Sequence, residues 1–413
     1  LKEQGFNSGI DKHTMIKTTT IIAALALALG ANDLTAKPLK VYLMAGQSNM
    51  QGHCKLTTFP YLAMDPETAP ILKKMVNEDG TPRVIKKVWI SSLGTGEEEK
   101  FGKLTTGFGA ERSGPKIGPE LTFGIYMQEH LGEPVLLIKA SWGGTTLCYD
   151  FRPPSAGLHP VQARRLEDLR KNNEDTRKAE AEYAERAGNC YRQMIAHAKF
   201  VLADIKRVDP EYDPARGYEL AGFVWLQGES DFGNTETYPN PGQPGGFDEY
   251  SRLLACLIRD IRKDLGAPEM RAVIGVLGFN GELDTDRPRD IDPKNIPWLR
   301  EFRKAMAEPA AMPEFKGKVA AVQLEKFWDP KLEELQCRWQ KVKDKSRELK
   351  GSKLGNDEKK AAIDAFLKTV YTPEEWKLME IGVSNATYHY LGSAKIMARM
   401  GKAFADAMAG MSN

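Results

Sequence analysis

Cysteine is scarce in this chain, and its spacing fits neither a metal site nor a cross-linked framework. The set is Cys54, Cys148, Cys190, Cys256 and Cys337, an odd five in 413 residues. No C-x-x-C pair occurs, which excludes the usual structural zinc site and a fold built on disulfides. Cys256 falls among Leu253, Leu254, Leu257, Ile258 and Ile261 and reads as core. Cys54 and Cys148 each follow a polar motif and form the best candidate bridge, which requires Cα atoms within about 7 Å. An excess of one charge is lacking as well: 58 Lys+Arg against 56 Asp+Glu leave +2, so nothing favours nucleic acid as a partner. The apolar run Ile21 to Ala31 is about half of the roughly 20 residues that a membrane span needs. H-E-x-x-H and the Walker loop are missing, and Gly94-Thr95-Gly96 lacks the third glycine of a dinucleotide fingerprint. No cofactor and no metal are expected.

That apolar run follows Met15-Ile16-Lys17 and precedes Leu34-Thr35-Ala36, the layout of a secretory signal peptide. Residues 1–36 are therefore expected to be upstream residues plus a signal peptide, and the protein to be secreted or periplasmic without a membrane anchor. Residues 37–413 are expected to form one domain, with charged helical insertions at about 160–190 and 326–380. The second insertion reads as a solvated helical hairpin.

What the chain does have is a series of apolar, β-branched runs. Leu39–Ala45, Val88–Ile90, Pro134–Ala140, Leu220–Leu226, Ala272–Gly278 and Val319–Leu324 read as strands. Helical patterns lie between them, at Pro119–Leu131, Ala187–Ile205 and Tyr250–Leu265, with a last one at Ile396–Met408. Alternation of this kind predicts an α/β fold with a parallel sheet covered on both faces.

Three polar motifs come after three of those strands: Gly46-Gln47-Ser48-Asn49, Ser141-Trp142-Gly143-Gly144-Thr145 and Gln227-Gly228-Glu229-Ser230-Asp231. A parallel sheet brings the carboxyl ends of its strands, and hence all three motifs, to one edge. Their residue types fit acyl transfer. Ser48 would attack a carbonyl, and N–H groups of Ser48, Gly143 or Gly144 and the amide of Gln227 would hold the oxyanion. A base must come from six histidines. His389, on a loop before the last helix, is the best placed; His53 is close enough to Ser48 to line the site.

Together, Gly46-Gln47-Ser48-Asn49-Met50, the Gly143-Gly144 loop, Gln227-Gly228-Glu229-Ser230 and His389-Tyr390 resemble the SGNH hydrolases. The closest branch is the sialate O-acetylesterase-like group related to carbohydrate esterase family 6. The likeness covers most of residues 39–408 outside the two insertions. It implies a flavodoxin-like three-layer α/β/α sandwich and a serine esterase that removes O-acetyl groups from sugars. Ser48 would be the nucleophile and His389 the base, with an oxyanion hole from Ser48, Gly143, Gly144 and Gln227. One departure stands out: the aspartate usual three residues before the histidine is Ala386 here. Glu229 is expected to orient His389 in its place, with Asp231 in reserve and a serine–histidine dyad as the other arrangement. Neutralising a triad acid costs roughly 10⁴ in kcat. Gln47, Asn49, Arg112 and Arg152 are expected at the substrate, an acetylated glycan, either a sialic acid or a polysaccharide. Activity is expected to rise with pH through about 6–7 as an ordinary histidine loses its proton. The alternative is a catalytically silent glycan-binding protein on the same scaffold.

Overall fold

The computed structural model describes residues 37–96, 98–284, 287 and 289–411, so the expected signal segment lies outside the described residues. The described residues divide into two compact units, one of 39–212 with 218–411, the other of 37–38 with 213–217. In the small unit the Arg216 guanidinium donates to the Lys37 carbonyl at 3.0 and 2.8 Å. The sheet and the site lie in the large one.

Seven strands build the sheet: β1 (Leu39–Gly46), β2 (Val88–Leu93), β3 (Lys100–Lys103), β4 (Val135–Ser141), β5 (Tyr218–Leu226), β6 (Arg271–Val276) and β7 (Val319–Gln323). Their spatial order is β3-β2-β4-β1-β5-β6-β7, and every pairing is parallel except β2 with β3. The central strands are continuous apolar runs because helices cover both of their faces. On one face, Phe123 of α2 (Glu120–Leu131) meets Tyr42 edge-on at 5.5 Å. On that same side Met408 and Phe404 of α11 (Ala394–Gly410) fill the space over Gly222 and Gly275. On the other face the Trp225 indole donates to the Tyr250 hydroxyl of α6 (Asp248–Asp264) at 3.3 Å. The three-layer α/β/α sandwich is thus present. β3 was not foreseen: Lys100-Phe101-Gly102-Lys103 holds a single large apolar residue, and pairing with β2 supplies what its own pattern does not.

Strands β4-β1-β5-β6-β7 repeat the flavodoxin-like order, whose ligand crevice opens beside the first strand. Ser141, Gly46 and Leu226 end their strands in one register row. A side chain at Gly46 would put its Cβ 1.9 Å from the Leu226 carbonyl oxygen, so the strands close at this edge only around a glycine.

The first insertion is two helices, α3 (Pro160–Lys171), which buries only Gln162 and Leu166, and α4 (Arg177–Arg186), which buries no residue. α5 (Asn189–Ala203) then returns to the sheet, and α7 (Ile296–Ala307) packs beside α6. The second insertion has three helices, not two: α8 (Pro330–Lys350), α9 (Asn356–Val370) and α10 (Pro373–Gly382). It is also not simply solvated. Leu335, Val342, Tyr371 and Met379 form a core of its own, flanked by Trp339 and Trp376 stacked at 5.9 Å. The cysteines are all free. Cys54 Sγ faces the Ser393 carbonyl at 3.5 Å, while Cys148 Sγ accepts from Asn234 and Thr237 at 3.5 and 3.6 Å, so the two belong to different surroundings and form no bridge. Among the described residues no helix is long and apolar enough to cross a membrane.

Candidate active site

Ser48 opens α1 (Ser48–Gln51), a single turn directly after β1. The first N–H groups of a helix have no partner inside it, which leaves those beside Ser48 free to face a ligand. The β4 motif meets this turn. A Cβ added to Gly143 would lie 3.9 Å from Ser48 Cβ, and Gly144 has φ +73 with open space around it. The loop is folded onto β5 by Asp231, a fully buried carboxylate. It accepts from Leu147 N at 2.6 Å, Cys148 N at 3.1 Å, Gln227 Nε2 at 2.7 Å and Tyr238 Oη at 2.7 Å. Asp231 thus holds the Gly143-Gly144 loop and does not bond to the histidine.

Gln227 departs from its expected part. Its amide donates to Gln47 Oε1 at 3.1 Å, the Thr145 carbonyl at 3.0 Å and Asp231 at 2.7 Å. Two hydrogens already serve three acceptors, so none is left for an oxyanion. Gln47 in turn uses its Oε1 to accept from Gly228 N and Ser230 N at 3.1 and 3.2 Å. Both glutamines are mortar between the three motifs.

His389 sits in the turn Thr387–Gly392, where Tyr390 and Leu391 take φ +51 and +60. Left-handed backbone at two bulky residues costs about 1–3 kcal/mol each and persists only where the surroundings impose it. Here both side chains are fully buried. The Leu391 carbonyl accepts from Ser384 N and Asn385 N at 2.8 and 3.0 Å, and the Tyr390 hydroxyl accepts from Gly278 N at 2.9 Å. The His389 ring lies between two others: His53 stacks flat on it at 4.1 Å, and Tyr388 meets it at 66° and 4.5 Å.

The partner of His389 Nδ1 is Asn385 Oδ1 at 3.0 Å. That same oxygen accepts from Ala386 N at 2.8 Å, which identifies it as the carbonyl end of the amide. Nδ1 therefore carries the proton, and Nε2 is left with its lone pair. Burial, with the neighbouring His53 adding to it, pulls the His389 pKa down to about 3. His53 is drawn to about 4, by burial first and then by Lys116 and Lys139. The ring is neutral well below the range of an ordinary histidine.

Glu229 is not the group that orients His389. It accepts from Asn49 Nδ2, whose other hydrogen goes to the Tyr388 carbonyl at 2.9 Å. Asn49 follows Ser48 and Tyr388 precedes His389, so this amide ties the Ser48 turn to the His389 turn. Arg152 is also displaced from its expected place at the substrate. Its guanidinium donates to the carbonyls of Cys148, Ala156, Gly157 and Leu158 at 2.7–3.2 Å, which makes it a loop clamp. Arg112 does line a cleft of about 1280 Å³, with Gln51, His53, Gly143, Glu111 and Asn385.

One pair beneath the site was not foreseen. Lys139 and Glu120 are fully buried and bonded at 2.7 Å. Lys139 Nζ also donates to the carbonyls of Gln51 and Phe108, both at 2.9 Å. Gln51 ends α1, so the pair fixes the turn that carries Ser48. A lone lysine inside an apolar strand was the available signal.

Residues 38–300 match the family described as carbohydrate esterase, sialic acid-specific acetylesterase. The chain belongs to that family. No curated protein matches it. Among solved structures it is similar to a carbohydrate acetylesterase from Xanthomonas citri, at 14% identity and a TM-score of 0.39, covering 70% of this chain and 51% of that one. It is also similar to a protein from Arabidopsis thaliana, at 14% identity and a TM-score of 0.36, covering 70% and 86%. The chain spans about half the length of the first of these. The family match ends well before His389, which lies outside the matched region.

Proposed function

We propose that this family member is a serine esterase that removes O-acetyl groups from carbohydrates. The observation that carries the reading is the joining of Ser48 to the His389 turn through Asn49, with His389 already in the tautomer that a base requires. Ser48 Oγ attacks the acetyl carbonyl while His389 Nε2 takes its proton. The N–H groups of Ser48 and of Gly143 or Gly144 receive the oxyanion. His389 then returns the proton to the departing sugar hydroxyl, and water, activated by the same nitrogen, clears the acetyl-serine. Asn385 orients the ring without a charge, so the site works as a dyad with an amide support. The polar cleft beside Gly143, lined by Arg112 and Glu111, suits a sugar better than a long acyl chain. The basic and apolar N-terminal pattern supports a protein exported from the cytoplasm.

The uncharged Asn385 also favours the second reading, a glycan-binding protein without turnover. Acetate release from a panel of acetylated sialic acids and polysaccharides separates the two. Ser48→Ala is expected to abolish release and covalent labelling by a fluorophosphonate while the protein melts as before. Unchanged turnover in that variant excludes the acyl-serine route, and no turnover by the wild-type chain on any acetyl ester leaves the binding protein.

A further inference from the structure

Glu229 is half-buried, but its carboxyl oxygen Oε2 is closed off from solvent, and its hydrogen bonding does not balance as a carboxylate. Oε1 accepts from Asn49 Nδ2, whereas Oε2 is buried and receives nothing from any described residue. The same is true across the contact: Asn49 spends both amide hydrogens, on Glu229 and on the Tyr388 carbonyl, but its buried Oδ1 receives none. Two orphaned acceptors thus belong to one amide and one carboxyl that already share a bond. A single proton on Oε2, donated to Oδ1, satisfies both.

We infer that Glu229 is held as a neutral carboxylic acid, closing a two-bond acid–amide ring with Asn49 that ties the nucleophile turn to the base turn. The surroundings agree. The ionisable groups that act with Glu229 are the buried phenols of Tyr250 and Tyr390, which carry no charge at neutral pH, and no cation contributes. Burial pushes the Glu229 carboxyl up to about 7, against the opposing bonds from its own backbone and from Asn49. With the ring closed, every polar atom of the Asn49 amide is used and its plane is fixed. The Tyr388 carbonyl, and His389 behind it, are then held at a set distance from Ser48. Glu229 acts as a positioning residue, not as the acid of a triad.

The inference rests on the proposed roles of Ser48 and His389 only for its kinetic arm; protonation is read separately. Infrared difference spectra of wild type against Glu229→Gln, at about pH 6, where an ordinary glutamate is ionised, are expected to show the carbonyl stretch of a protonated carboxyl. That band should shift in deuterium oxide and vanish in the variant. In turnover of an acetate ester, Glu229→Ala is expected to lower kcat at least about tenfold. Glu229→Gln should restore it to within about threefold of wild type, because a glutamine amide offers Asn49 the same donor and acceptor. A missing band, or a loss of about 10⁴ in Glu229→Gln, the scale for a triad acid made neutral, overturns the inference. If Glu229→Ala fails to fold, the band and the glutamine variant decide. Should the Ser48→Ala test fail instead, the band still reports on Glu229 alone.

Discussion

Replacing Lys139 by methionine takes a fully buried ammonium out of the molecule and leaves behind everything it bonded. Three groups then lose their donor: the Glu120 carboxylate and the carbonyls of Gln51 and Phe108. Breaking a buried ion pair from one side costs about 3–5 kcal/mol, because the remaining charge is uncompensated. Each stranded carbonyl adds about 1–3 kcal/mol unless water reaches it. The expected sum, about 5 kcal/mol or more, is a large share of the roughly 5–15 kcal/mol that holds a folded domain. Glu120→Gln in the same chain should return about 2 kcal/mol or more. It removes the charge, and its amide hydrogens can reach for the stranded carbonyls. The measurement is a double-mutant cycle of Lys139→Met and Glu120→Gln by urea denaturation, with acetate-ester turnover measured in parallel. Turnover should fall in Lys139→Met even under conditions where the protein is still folded, since Gln51 ends the turn bearing Ser48. Additivity of the two substitutions within about 0.5 kcal/mol would mean that the residues do not interact, and the account of the pair would be wrong.

The site sets the other expected outcomes. Because His389 is held down to about 3, its ring is neutral across the working range, and the rate should be flat from about pH 5 to 6 when chemistry limits, without the rise through 6–7 that an ordinary histidine gives, and should fall above about 7 as Glu229 loses its proton. Asn385→Asp puts a carboxylate on Nδ1 and raises the imidazole by about 1–3 pH units, so the acidic limb of the kcat profile should move up to about 4–6; a profile unchanged from wild type would mean that Asn385 does not support the ring. Asp231→Asn replaces an acceptor of four bonds by a group with one acceptor and two donors, and at about 1.5–3 kcal/mol per charged bond lost it should cost about 3–5 kcal/mol and lower kcat through the Gly143 loop, as read by a denaturant midpoint and by turnover.

The sheet could be read from the chain because its strands are buried on both sides and announce themselves as apolar runs. Ser48, Gly143 and Gln227 were found by the same means, since each comes directly after such a run. The partners within the site were harder to see. Asn385 was visible only as a residue near His389, and nothing in the chain tells that its oxygen would be fixed by Ala386 N. Glu229 looked like a free carboxylate at a strand end, yet the Asn49 amide takes it. Gln227 and Arg152 carry groups suited to a substrate, but their donors are spent on carbonyls and side chains elsewhere in the fold. Residue type predicts what a group can do, whereas burial and long-range contacts decide what it is free to do.

The bond from Asn49 to the Tyr388 carbonyl joins residues 339 apart. A ribosome makes the Ser48 turn before the His389 turn, with six of the seven strands of the sheet and the α8–α10 insertion in between. Long-range contacts of this kind form late, after the loops between them have been closed. A nascent chain therefore carries Ser48 without its proposed base until the His389 turn has been made. On the proposed mechanism, ester cleavage begins only once α11 docks and carries the His389 turn into place, so activity reports that these two distant segments have met.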